Sequence, residues 1–223
     1  MKLVLKTYGK EAGIVKWFLV STANTFINLY PFTMNPQVRL MREVSFMRAR
    51  EISVPRPEIY LVNYVKPSLY REYVEGETID PSYPQDMEII AETLCSIHQS
   101  GYALGDSKYS NFIKSRENVI YVIDAEQSTT TLSETHQAWD LFVYMVTSSL
   151  KIYGKAVRNN AVYEKTLSSF ISRYVECLKS TKPVEELLKP SFTALFSTLV
   201  PPPLNLLMYK VIRGLVDTNK GDV

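Results

Sequence analysis

The stretch Gly105-Asp106-Ser107-Lys108-Tyr109-Ser110-Asn111, with Asp124 standing thirteen residues after Asn111, decides how this chain is read. On its N-terminal side Met87, Ile90, Ala91, Leu94 and Ile97 recur at helical spacing, and Gly101 supplies a stop. On its C-terminal side two short strand-like runs, near residues 112–114 and 119–123, flank a turn, and Asp124 ends the second of them. The polar run is therefore a loop between a helix end and a hairpin. Ordered elements on both sides hold its acids, its lysine and its amide in register.

Working outward, the first 32 residues read as three strands, at 2–8, 13–20 and 25–32, rich in Val, Ile, Phe, Tyr and Thr, and an antiparallel meander fits them. Asn35 and Pro36 then form a cap and first-turn pair for a helix running to about residue 50, with Leu40, Val44 and Met47 on one face. Glu43 falls on that same apolar face. Pro55-Arg56-Pro57 stops the helix, and two further strands are expected near 59–62 and 68–74, closed by Glu75-Gly76. Beyond the polar loop, an apolar helix is expected from about 136 to 150, and Tyr163, Leu167, Phe170, Ile171, Tyr174 and Leu178 line another. Pro201-Pro202-Pro203 separates two C-terminal helices, which read as packing on the helical part or as a partner-binding or membrane-adjacent pair. The fold class is α+β: a β-rich part carrying one helix over residues 1–76, then a mainly helical part over 77–223.

Composition narrows the functional classes. Hydrophobic residues make up 46% of 223 and aromatics 12%, which describes a packed chain and excludes a low-complexity one. A formal charge of +2 from 25 basic and 23 acidic residues gives no bulk attraction to nucleic acid or to anionic membrane, so nucleic acid enters only indirectly as a partner. Cys95 and Cys177 are too few for a zinc site or a disulfide framework, and buried free thiols are expected. The opening residues alternate polar and apolar, unlike a signal-peptide core, and no run reaches the length of a transmembrane segment. A soluble, cytoplasmic protein is the expectation.

The pattern Asp-x-Lys-x-x-Asn at Asp106, Lys108 and Asn111 resembles the catalytic loop of protein kinases, and the preceding run from Ile97-His98 to Gly105 is similar to that of small atypical kinases. The resemblance implies a two-lobe, protein-kinase-like fold with ATP and Mg2+ as cofactors. Asp106 would be the catalytic base, Lys108 would lie at the transferring phosphate, and Asn111 and Asp124 would hold the metal. It also implies that backbone groups of Glu72 and Val74 hold the adenine, that Glu43 pairs with a phosphate-binding lysine, and that Asp140 braces the loop from a central helix. Residues of these types suit phosphoryl transfer, which is mostly positioning and charge neutralisation. From Asp124 to Trp139 there is little room for an activation segment, and this brevity resembles the RIO kinases and the kinase subunit of the tRNA threonylcarbamoyl-adenosine complex.

Four departures qualify the likeness, one of them Leu104, which stands before Gly105 where the family has a histidine or tyrosine-like residue. Asn28 stands where the lysine of the third strand is expected, and Lys16 on the preceding strand is the substitute, as a neighbouring-strand lysine is in the with-no-lysine kinases; an outward strand lysine is the plain alternative. The segment Gly9-Lys10-Glu11-Ala12-Gly13 lacks the three-glycine spacing of a phosphate loop. Arg71 sits where a mid-sized apolar residue usually guards the adenine pocket. The functional expectation is an atypical serine/threonine kinase or kinase-like ATPase acting on a protein substrate or partner subunit. The alternatives are a pseudokinase serving as an assembly platform and a small-molecule phosphotransferase of the aminoglycoside, choline or sugar-lipid kinase type.

Overall fold

A computed structural model of the chain describes residues 2–9 and 29–221. It is an α+β protein. The strands β1 (Leu3–Thr7), β2 (Ile59–Asn63) and β3 (Ser68–Glu72) form an antiparallel sheet in the order β1-β3-β2. Thus β1 pairs with β3, more than sixty residues away in sequence, with Lys6 standing opposite Leu69. The expected strands over 13–20 and most of 25–32 lie outside the described residues, and Leu29–Phe32 is not strand: Tyr30 turns inward there and is buried.

Helix α1 (Pro36–Arg48) crosses the inner face of this sheet. Asn35 starts it by accepting from the Gln37 and Val38 amides at 2.9 and 3.2 Å, groups that no earlier turn could satisfy. At its far end the Arg56 guanidinium donates to the carbonyls of Phe46, Ala49 and Ile52 at 2.6 to 2.9 Å. One side chain thereby satisfies orphan carbonyls of the last turn and fixes the chain's exit. Leu40 and Val44 pack on Leu69 and Tyr8, a small apolar cluster separate from the main core.

The remaining elements are mainly helical. A short β4 (Glu77–Thr78) precedes α2 (Pro84–Gln99), and β5 (Tyr102–Ala103) leads into the polar loop. After it come β6 (Phe112–Lys114) and β7 (Ile120–Val122), an antiparallel hairpin, and β8 (Thr129–Thr130), which pairs with β5. Helix α3 (Glu134–Arg158) is longer than its apolar core suggested, and α4 (Asn160–Leu178), α5 (Lys182–Glu186), α6 (Pro190–Leu199) and α7 (Leu204–Gly221) complete the described residues. Leu204, Met208, Ile212 and Val216 of α7 are buried in the main core, so the tail packs on the helical part. The expectation of free thiols is overturned. Helices α2 and α4 lie side by side, and Cys95 forms a disulfide with Cys177, 82 residues away. Among the described residues no helix is long and apolar enough to cross a membrane.

Candidate functional site

The loop from Leu104 to Asn111 is held from beneath by α3. The buried Asp140 carboxylate accepts from the Leu104 amide at 2.6 Å and the Gly105 amide at 2.7 Å, and lies 3.1 Å from His98 Nε2. His98 is fixed in turn by the Tyr174 hydroxyl at 2.7 Å from Nδ1. Ser107 donates to the Asp140 carbonyl, and the Trp139 indole donates to the Gly105 carbonyl. Gly105 takes φ +74°, and a Cβ there would stand 2.4 Å from the Tyr30 ring, so both backbone conformation and space demand glycine. These bonds fix the backbone of the loop against α3.

The candidate side chains of this loop are Asp106, Lys108 and Asn111. The Lys108 ammonium lies 2.7 Å from Asp106 Oδ2, and Asn111 Nδ2 donates to the Asp106 carbonyl at 2.7 Å. The Ile123 amide donates to the Asn111 carbonyl, which ties the loop to the end of β7, where Asp124 stands. Burial tends to lower the Lys108 pKa, but Asp106, with Asp124 and Glu126 behind it, holds the ammonium above its usual value. The charges of Asp106, Lys108 and Asp124 are thus coupled, and Asn111 is hydrogen-bonded to the same loop.

The cation opposite this unit is Lys6. Its ammonium sits 2.6 Å from Glu43 Oε2, 2.8 Å from Asp124 Oδ1 and 3.4 Å from Glu126 Oε2. Burial alone would lower its pKa; the three carboxylates outweigh that and raise it, so Lys6 is a fixed positive charge. Asp124 shows the converse: burial opposes its ionisation, yet Lys6 holds it below the usual carboxylate range. Glu43 is fully buried, which pushes its carboxyl up against the pull of Lys6, and Tyr8 donates to it at 2.5 Å. Arg39 closes the cluster at 2.5 Å from Glu126 Oε1.

The inward-facing Glu43 does meet a lysine, but from a strand where none was sought. Lys16, the sequence-based candidate, and Asn28 lie outside the described residues. The missed signal was parity: Val4, Lys6 and Tyr8 alternate with Leu3, Leu5 and Thr7, so a lysine shares a face with two packing residues. Glu72 and Val74 sit where β3 leaves the sheet. The Glu72 amide is engaged by the Glu58 carbonyl at 2.8 Å, whereas the Val74 amide has no partner among the described residues.

Glu43, Asp124 and Glu126 bring carboxylate oxygens within 4.8 Å of one another. Glu43 Oε1 is buried without a hydrogen bond. This oxygen-rich donor set, partly neutralised by the Lys6 ammonium and the Arg39 guanidinium, fits a hard divalent cation such as Mg2+. The segment after Asp124 is clamped: Gln127 exchanges two hydrogen bonds with the Thr33 backbone, and Ser128 donates to the Arg42 carbonyl. No protein-family model matches the chain, and no curated protein matches it either.

Proposed function

We propose that the chain is a kinase-like phosphotransferase with two lobes, residues 1–76 and 77–223, that takes the terminal phosphate of a magnesium-bound nucleoside triphosphate in the cleft between them. The observation that carries this reading is the Lys6 ammonium, held by Glu43 and Asp124, facing a braced loop that presents Asp106, Lys108 and Asn111. In this reading Lys6 supplies the phosphate-binding charge missing at Asn28, one of the three features, with Leu104 and the glycine-poor 9–13 segment, that motivate the pseudokinase alternative.

In this reading Lys6 and Lys108 neutralise phosphate oxygens from two sides, and Asp106 orients an acceptor hydroxyl and takes its proton. Asp124 and the Asn111 side-chain oxygen would hold Mg2+, which supplies charge neutralisation across the phosphates. The Val74 amide is a donor for the base. ATP is the donor that the resemblance implies. The acceptor is a serine or threonine hydroxyl of a protein, because Lys108 follows the protein-kinase side of the likeness; the short stretch from Asp124 to Trp139 gives little room for a conventional peptide-docking segment, which favours a folded partner over a loose peptide.

Two measurements test this reading. Mg-nucleotide raises the melting temperature, because a ligand that binds only the native state stabilises it. Transfer of labelled phosphate to protein is lost in Asp106→Asn, by at least about a thousandfold, with the melting temperature within a few degrees of wild type. Undiminished transfer by that variant would remove Asp106 from the chemistry, and transfer to a small metabolite alone would move the chain to the small-molecule class.

A further inference from the structure

Strand parity brings two cations to one face of the sheet. Lys6 stands opposite Leu69 and Val4 opposite Arg71, and directly opposed residues share a face. Arg71 therefore points to the inner side with Lys6, the side on which Leu69 packs against Leu40 and Val44. It is 8% exposed. Lys6 meets three carboxylates there, but Arg71 meets none among the described residues. Its Nε is buried with no hydrogen bond, and its Nη1 reaches the Glu72 carbonyl at 3.5 Å, the outer limit of such a bond. A guanidinium carries five N–H donors and no acceptor, and a buried one calls for acceptors to face it.

Resting on the nucleotide reading above, we propose that Arg71 reads the base and selects guanine over adenine. Arg71 immediately precedes Glu72, at the end of β3 where the base would lie. It is two positions along that strand from Leu69, the residue opposite Lys6, or about 7 Å. Phosphates held at Lys6 thus leave the base on the Arg71 side. Guanine presents two adjacent acceptors, O6 and N7, which a planar guanidinium engages bidentately. Adenine offers N7 beside the amino group N6, so a second N–H of Arg71 would face another donor. The Nη1 contact with the Glu72 carbonyl places the guanidinium at the strand end itself, which also sets it against the carbonyl that an adenine amino group would use.

The test is titration of the full chain with Mg-GTP, Mg-ATP, Mg-ITP and Mg-tripolyphosphate, read by calorimetry and melting temperature. GTP and ITP, which share O6 and N7, bind on the order of tenfold or more tighter than ATP. 7-deaza-GTP loses most of that advantage. Arg71→Met, which removes a buried unpaired charge and keeps the length, abolishes the preference. ATP binding as tightly as GTP, or tripolyphosphate matching GTP, overturns the base assignment and leaves the nucleotide reading standing. No binding of any of the four overturns both. The wild-type nucleotide series decides the matter even if the variant fails to fold.

Discussion

In the helical part, Ile90, Leu94, Phe112, Tyr144, Phe170 and Phe192 belong to one continuous apolar core, and the polar groups under the loop are satisfied mostly by backbone amides and aromatic donors. In the sheet part, a separate apolar cluster shrinks to Tyr8, Leu40, Val44 and Leu69; Phe46 and Met47 of α1 join the main core, and beside that apolar junction Lys6 and Arg39 reach across to Asp124 and Glu126. The difference teaches where each part can change. A hydrogen-bonded loop on a packed helix keeps its geometry whatever the cleft contains. A sheet whose inner face carries buried ions beside its apolar contacts responds to any ligand that adds or removes charge there, as the proposed nucleotide with its metal would.

The comparison can be broken at its strongest point first. The Cys95–Cys177 link closes a separation of 82 residues within the helical part, and by chain entropy Cys95→Ala with Cys177→Ala costs about 4 kcal/mol. A lowered denaturation midpoint with Mg-nucleotide binding retained below the transition is the expected result; loss of binding in the folded double variant would show that the helical scaffold and the cleft are not separable. Next, Lys6→Met strands buried carboxylates and costs roughly 3 kcal/mol. It removes the Mg-nucleotide shift in melting temperature, while hydrogen exchange of the Leu104 and Gly105 amides stays slow. Exchange that speeds up equally in both parts would erase the distinction.

The smallest effect is a pH dependence that sharpens it. Burial is outweighed by Glu43, Asp124 and Glu126, so the folded-state pKa of Lys6 lies above its ordinary 10.5. A group raised on folding contributes stability that is complete below its unfolded pKa and fades as pH rises through the folded one. The stability gap between wild type and Lys6→Met is therefore flat from neutral pH to about 10 and narrows only above it. Narrowing already near pH 8 in denaturant titrations would mean that the lysine is not held by its acids.

Much of the cleft was legible beforehand because it is local in sequence. Asp106, Lys108 and Asn111 sit within six residues of one another, Asp124 closes a hairpin begun just after them, and Glu43 betrays itself as an acid on an apolar helix face. The brace from Asp140 was implied by the resemblance alone, and the Leu104 and Gly105 amides do donate to its carboxylate. Lys6 was not among the expected cations for a reason of topology. Nothing within residues 2–8 says that this strand will lie beside 68–72, and that pairing alone brings Lys6 over Asp124, 118 residues away.

Sequence by itself determined the α+β class and the acidic, amide-bearing loop with its distant aspartate, since periodicity and short spacings are set by bonds along the chain. Tertiary structure alone decided which cation faces those acids, that two cysteines in separate helices are joined, and that Arg71 is buried with no carboxylate against it among the described residues. Each of these depends on which surfaces pack together, and packing is settled by the whole set of apolar faces at once rather than by any one segment.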